Sequence, residues 1–177
     1  GDDVLLHFQL KDKFVLEEVF LYVLLGVVSA AISIYFSKMY FWISNFFESI
    51  ANPYKRWAIG GVLIGLIVYF IPPLFGEGYE VVNNLLQENY AGVLKYNYFN
   101  ISYDHVLLVS LLLVALVFFK VIAMSITFGA GGVGGVFAPT LFTGSIAGYV
   151  CATLLNYSGV FPQHVSPSNF ALVGMAG

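Results

Sequence analysis

Gly129-Ala130-Gly131-Gly132-Val133-Gly134-Gly135-Val136-Phe137-Ala138-Pro139-Thr140-Leu141 joins two apolar helical stretches, and its reading decides the fold. Residues 129 to 134 satisfy G-x-G-x-x-G. A dinucleotide site with that pattern needs an acidic residue about 20 positions on to hold a ribose hydroxyl. No Asp or Glu occurs anywhere after Asp104. A phosphate-binding P-loop needs Lys and then Ser or Thr after its glycines, and none follows. Between apolar helices, glycines have two other uses. They allow tight helix contact across a turn, or they make the backbone irregular, which at membrane depth persists only when buried in protein or lining a polar cavity. Pro139 suits the first turn of a following helix, where its missing N–H leaves no bond unmade. Val136 and Phe137 then stand at the helix start with amides that lack an intrahelical partner. Such an end carries roughly half a positive charge and free donors, so it holds an anion without gripping it as a full cation does.

Outward from the glycines, each flank reads as a membrane helix. The sequence predicts helices over 106–128 and 136–156, with the start of another at 169–177. From Val121 to the last residue there is no Asp, Glu, Lys or Arg. Towards the N-terminus, Val19 to Ser37 is uncharged and the apolar pattern runs on through Trp42 and Phe47, which predicts one long tilted helix over 19–48. About 20 apolar residues suffice to cross a hydrocarbon layer of roughly 30 Å. Asn52-Pro53 breaks the chain. Tyr54, Lys55, Arg56 and Trp57 make an interfacial step before a helix over 57–74 that Pro72-Pro73 ends. Its Gly61 and Gly65 form a small-xxx-small pair for close helix approach. Residues 76–105 are polar and read as an interfacial helix plus loop, and residues 1–18 as a polar lead-in. Positive-inside bias puts the Lys55 and Arg56 side in the cytoplasm.

Composition agrees with lipid. Hydrophobic residues are 59% of the chain and charged ones 10%, against roughly 45–50% and about 25% in soluble domains. Net charge is −3 with no basic run, so nucleic acid is not a partner. Cys151 is the only cysteine, which removes an internal disulfide or thiolate cluster. His7, His105 and His164 are far apart with no carboxylate at ligand spacing, so no metal site is expected. No nucleophile and base share a plausible site, so no catalytic residue is assigned and the chain does not read as an enzyme. Gly1 is not a Met, no signal peptide precedes the first helix, and Met175-Ala176-Gly177 opens another apolar helix; the sequence reads as a piece of something longer.

Gly135-Val136-Phe137-Ala138-Pro139 followed by Leu141 resembles the G-x-F-x-P-x-L signature of the CLC family of chloride channels and chloride/proton antiporters. The preceding GAGG, Gly76-Glu77-Gly78-Tyr79, the Lys120 helix and Phe170 to Ala176 are similar to it in the same order, from about residue 14 to the end. The resemblance implies an all-α integral membrane fold of two inverted repeats with broken helices, of which this chain is most of the second. It implies chloride or another halide as ligand, membrane lipid as surroundings and no further cofactor. Backbone N–H groups of Val136 and Phe137 would hold the ion, supported by Gly134, Gly135, Ala138 and Pro139, and the Phe137 ring would line the pore. The family's serine loop, gating glutamate and pore tyrosine do not occur in this sequence. The full-length protein is expected to be a multi-pass homodimer of the cell's inner or plasma membrane. Channel and antiporter both remain open.

Other residues carry two readings each. Lys120 is either a charge that shapes the anion's field or a cation paired to a backbone carbonyl. Glu77 and Glu80 read as a solvated turn more simply than as proton carriers. Thr140 is near enough to the motif to touch an ion, although hydroxyls in membrane helices commonly bond their own backbone. Asn100-Ile101-Ser102 and Asn156-Tyr157-Ser158 match the glycosylation triplet by chance frequency. The alternative to transport is a membrane scaffold or assembly subunit in which Gly61, Gly65, Gly144 and Gly148 serve packing alone.

Overall fold

The computed structural model of the chain describes residues 19–87, 106–159 and 164–177. The lead-in over 1–18, the loop after residue 87, His7, His105 and the Asn100 triplet lie outside the described residues. The described chain is helical throughout: α1 Val19–Glu48, α2 Pro53–Phe70, a 3-10 turn Pro72–Leu74, α3 Tyr79–Leu86, α4 Val106–Gly129, α5 Phe137–Ser158 and α6 Pro167–Ala176. By length and composition α1, α4 and α5 are long and apolar enough to cross a membrane.

Where these bounds differ from the sequence reading, capping explains the difference. Asn52 starts a helix as well as breaking one. Its side-chain oxygen accepts from the amides of Tyr54 at 2.9 Å and Lys55 at 3.3 Å, with Pro53 at the first helical position. The interfacial step at 54–57 is therefore the first turn of α2. At its far end α2 stops at Phe70, and Pro72-Pro73 folds into a separate 3-10 turn. Pro167 opens α6 with no side-chain cap bond from Ser166, and α5 runs to Ser158 before the left-handed Gly159 closes it.

Burial ranks the helices. In its most apolar window α1 is 11% buried against 56% for α5, so α5 is central and α1 peripheral. Phe142, Ile146 and Tyr149 of α5 meet Val82, Leu85 and Leu86 of α3 and Leu113, Leu116 and Val117 of α4 in the main core. On its other side α5 presents Gly144 and Gly148 to α6. A Cβ on either would overlap a backbone carbonyl, that of Gly174 or Phe170 respectively. Gly61 and Gly65, by contrast, have nothing within 4 Å where a Cβ would stand. The close approach on α2 is one residue away, where Gly60 faces Ala130.

Asn156 near the end of α5 is fastened to Val165 just before α6. Asn156 Nδ2 donates to the Val165 carbonyl at 2.8 Å, and the Val165 amide donates to Asn156 Oδ1 at 2.9 Å. Both the nitrogen and the oxygen of the amide are thus engaged with Val165. Asn156→Ala is expected to lower stability by about 1–3 kcal/mol, because it strands both Val165 groups. Thermal melting of the detergent-solubilised full-length protein checks this. An unchanged midpoint would show that the clamp contributes nothing.

Candidate functional site

The glycine string begins as a helix cap. The Gly132 amide donates to the Thr127 carbonyl at 2.8 Å, and the Gly131 amide to the Phe128 carbonyl at 2.9 Å. That pair of bonds is the Schellman pattern, and it needs a left-handed residue at its corner. Gly131 supplies it with φ +100. This stops α4 and turns the chain, so α4 and α5 are not one continuous helix.

The next helix starts on an open end. Val136 caps α5 with φ −81 and ψ −14 and no side-chain bond. The first carbonyl to be used is that of Val136, which accepts from Thr140 at 3.0 Å. Pro139 has no N–H to give. Among the described residues, no group accepts from the amides of Val136, Phe137 or Ala138. Phe137 is 68% exposed at this end. Three free donors at a helix start form the arrangement that favours an anion.

Two of these donors, the amides of Phe137 and Ala138, belong to residues that line a cavity of about 480 Å³. Gly134, Gly135, Phe137, Ala138 and Pro139 line it, whereas Val136 is exposed and stands outside the lining. Leu74, Gly76 and Glu77 form the wall contributed by the turn after α2, and Lys120 and Phe128 that of α4. Of the residues singled out from the sequence, five of the motif and Lys120 are thus gathered around one space.

Lys120 is 4% exposed, and its ammonium is not left bare. Nζ donates to the Gly76 carbonyl at 2.7 Å and the Leu74 carbonyl at 3.3 Å, and lies 5.0 Å from the Phe142 ring centroid. Two carbonyls and an aromatic face offset the desolvation of a buried cation. The carbonyl-pairing reading of Lys120 therefore describes its bonds, and the residue also lines the cavity. Sequence reasoning missed the partners because they lie 44 and 46 positions away. It also set Glu77 aside as a solvated turn; the residue is exposed, yet it lines the cavity. Thr140 does not join it: its hydroxyl donates to the Phe137 carbonyl at 2.7 Å, within its own helix.

Comparison with known proteins follows from this geometry. A family model described as voltage gated chloride channel matches residues 1–177. A ClcB-like protein of Ralstonia nicotianae is 34% identical over 122 residues, covering 68% of this chain and 24% of that protein. The H(+)/Cl(-) exchange transporter ClcA of Vibrio parahaemolyticus is 26% identical over 181 residues, 99% of this chain and 34% of the transporter. Chloride channel protein CLC-f of Arabidopsis thaliana is 29% identical over 168 residues, 88% of this chain and 20% of that protein. The chain thus spans between 20% and 34% of the length of those relatives. No solved structure matches it. With an all-helical fold, three membrane-length helices and the matched motif in place, the chain belongs to the voltage-gated chloride channel (CLC) family.

Proposed function

We propose that this chain contributes an anion site to a chloride transporter, with the amides of Val136 and Phe137 as ligands and Gly134, Gly135, Ala138 and Pro139 shaping the approach. One observation carries this: the unpaired helix start of α5 adjoins a cavity at the end of a capped helix break. Partial charge suits permeation, because a bound ion must also leave. Lys120 adds a positive field from the α4 wall, with its ammonium bonded to two carbonyls. Chloride is the ligand, no other cofactor is needed, and no step is enzymatic. The full-length protein works as a homodimer in the inner or plasma membrane, where the relatives' names span both exchange and channel activity.

Reconstitution tests it. Proteoliposomes of the full-length protein should release chloride, and Phe137→Ala should alter the preference between chloride and larger anions by about threefold or more, since the exposed ring stands at the site. Unaltered affinity and selectivity in that variant would remove Phe137 from the site. The scaffold reading is favoured by one observation, the backbone-to-backbone contact at Gly144 and Gly148. It predicts no flux at all.

A further inference from the structure

The cavity at the head of α5 carries two formal charges among its lining residues, Lys120 and Glu77. Lys120 belongs to the buried wall and is fixed by the Gly76 carbonyl, the residue immediately before Glu77. Glu77 itself sits between two left-handed glycines, Gly76 with φ +66 and Gly78 with φ +90. A Cβ at Gly78 would overlap the Phe142 ring, so the backbone there presses directly against α5. The turn is thus tied on one side to Lys120 and on the other to α5, which places a carboxylate on the wall of a space whose remaining attractions favour anions.

A carboxylate is an odd lining for an anion cavity unless its sign is the point. From these contacts we infer that Glu77 sets the anion affinity of this cavity, countering the field of Lys120 so that a halide drawn to the α5 amides is held loosely. The inference rests on the anion-site reading given above. Its physical basis is Coulombic: Lys120 and the helix start both attract the ion, and a single exposed negative charge on the same cavity lowers the total without touching any ligand. In this reading Glu77 acts through its field on affinity and is not a ligand of the ion. Because the carboxylate is exposed to water, its influence is also screened by salt.

Chloride binding to the full-length protein, measured by isothermal titration calorimetry, separates the possibilities. Glu77→Gln should tighten chloride roughly threefold to tenfold at low ionic strength. That gain should shrink towards nothing as sodium gluconate is added. Glu77→Asp, which keeps the charge, should bind like the wild type. Adding Lys120→Met to Glu77→Gln should return affinity towards the wild-type value. Equal affinities for wild type and Glu77→Gln at low salt, or a change that Asp reproduces, overturn the inference. If Val136→Pro fails to weaken chloride as well, the anion-site reading itself is lost; if it does weaken chloride, only the role of Glu77 is.

Discussion

Replacing Val136 with proline is expected to weaken chloride binding about tenfold to a hundredfold, the worth of one hydrogen bond to a charged partner at about 1.5–3 kcal/mol. The substitution removes an N–H and little else. Val136 has φ −81, which the proline ring accepts near −65 ± 15°. The preceding residue is Gly135, whose missing Cβ relieves most of the clash that proline imposes on its neighbour. That N–H has no partner among the described residues, so the fold loses no bond of its own. Val136→Ala is the matched control, because it alters the side chain and keeps the amide. Calorimetric titration of the full-length protein with chloride should find Ala within about twofold to threefold of the wild type, and Pro far weaker. Matching affinities for the two variants would show that the anion is held elsewhere.

The sequence carried a good part of this site, and the parts it missed share a cause. The break between α4 and α5 was legible because glycine and proline act through the backbone alone: Gly131 supplies the left-handed corner and Pro139 occupies a position where an N–H is dispensable. Hydrophobic runs likewise marked α1, α4 and α5, since lipid-facing length is a one-dimensional property. Asn52 was read only as a break and is also a cap, because the deciding fact is a side-chain oxygen 2.9 Å from the Tyr54 amide. Contacts across the chain left no local trace. Nothing near Lys120 in sequence announces the carbonyls of Leu74 and Gly76, and nothing near Glu77 announces that its turn lies against the head of α5. The small-residue pair Gly61 and Gly65 shows the same limit from the other side, for spacing specifies a smooth face without saying which partner meets it.

Gly148→Ala is expected to destabilise the protein by about 1–3 kcal/mol, while Gly61→Ala leaves it unchanged or slightly firmer. The two glycines lie in the interiors of apolar helices, so propensity alone favours alanine at both by up to about 1 kcal/mol. Surroundings reverse the sign at one of them. An added Cβ on Gly148 would overlap the Phe170 carbonyl oxygen and come within 3.0 Å of Ala171 Cα, and neither backbone atom can swing aside as a flexible side chain would. Relief requires α5 and α6 to separate, which opens the packing of Phe170 and Ala152, both fully buried. At Gly61 a Cβ would meet nothing within 4 Å. Thermal melting of both variants in detergent tests the contrast, and chloride titration extends it: the tilt of α5 fixes where its amides stand, so displacement at Gly148 should weaken chloride even though the site lies about three turns away along the helix. If Gly148→Ala melted with the wild type, α5 and α6 would have to be farther apart than carbonyl-to-glycine contact allows, and the placement of the α5 amides over the cavity would lose its support.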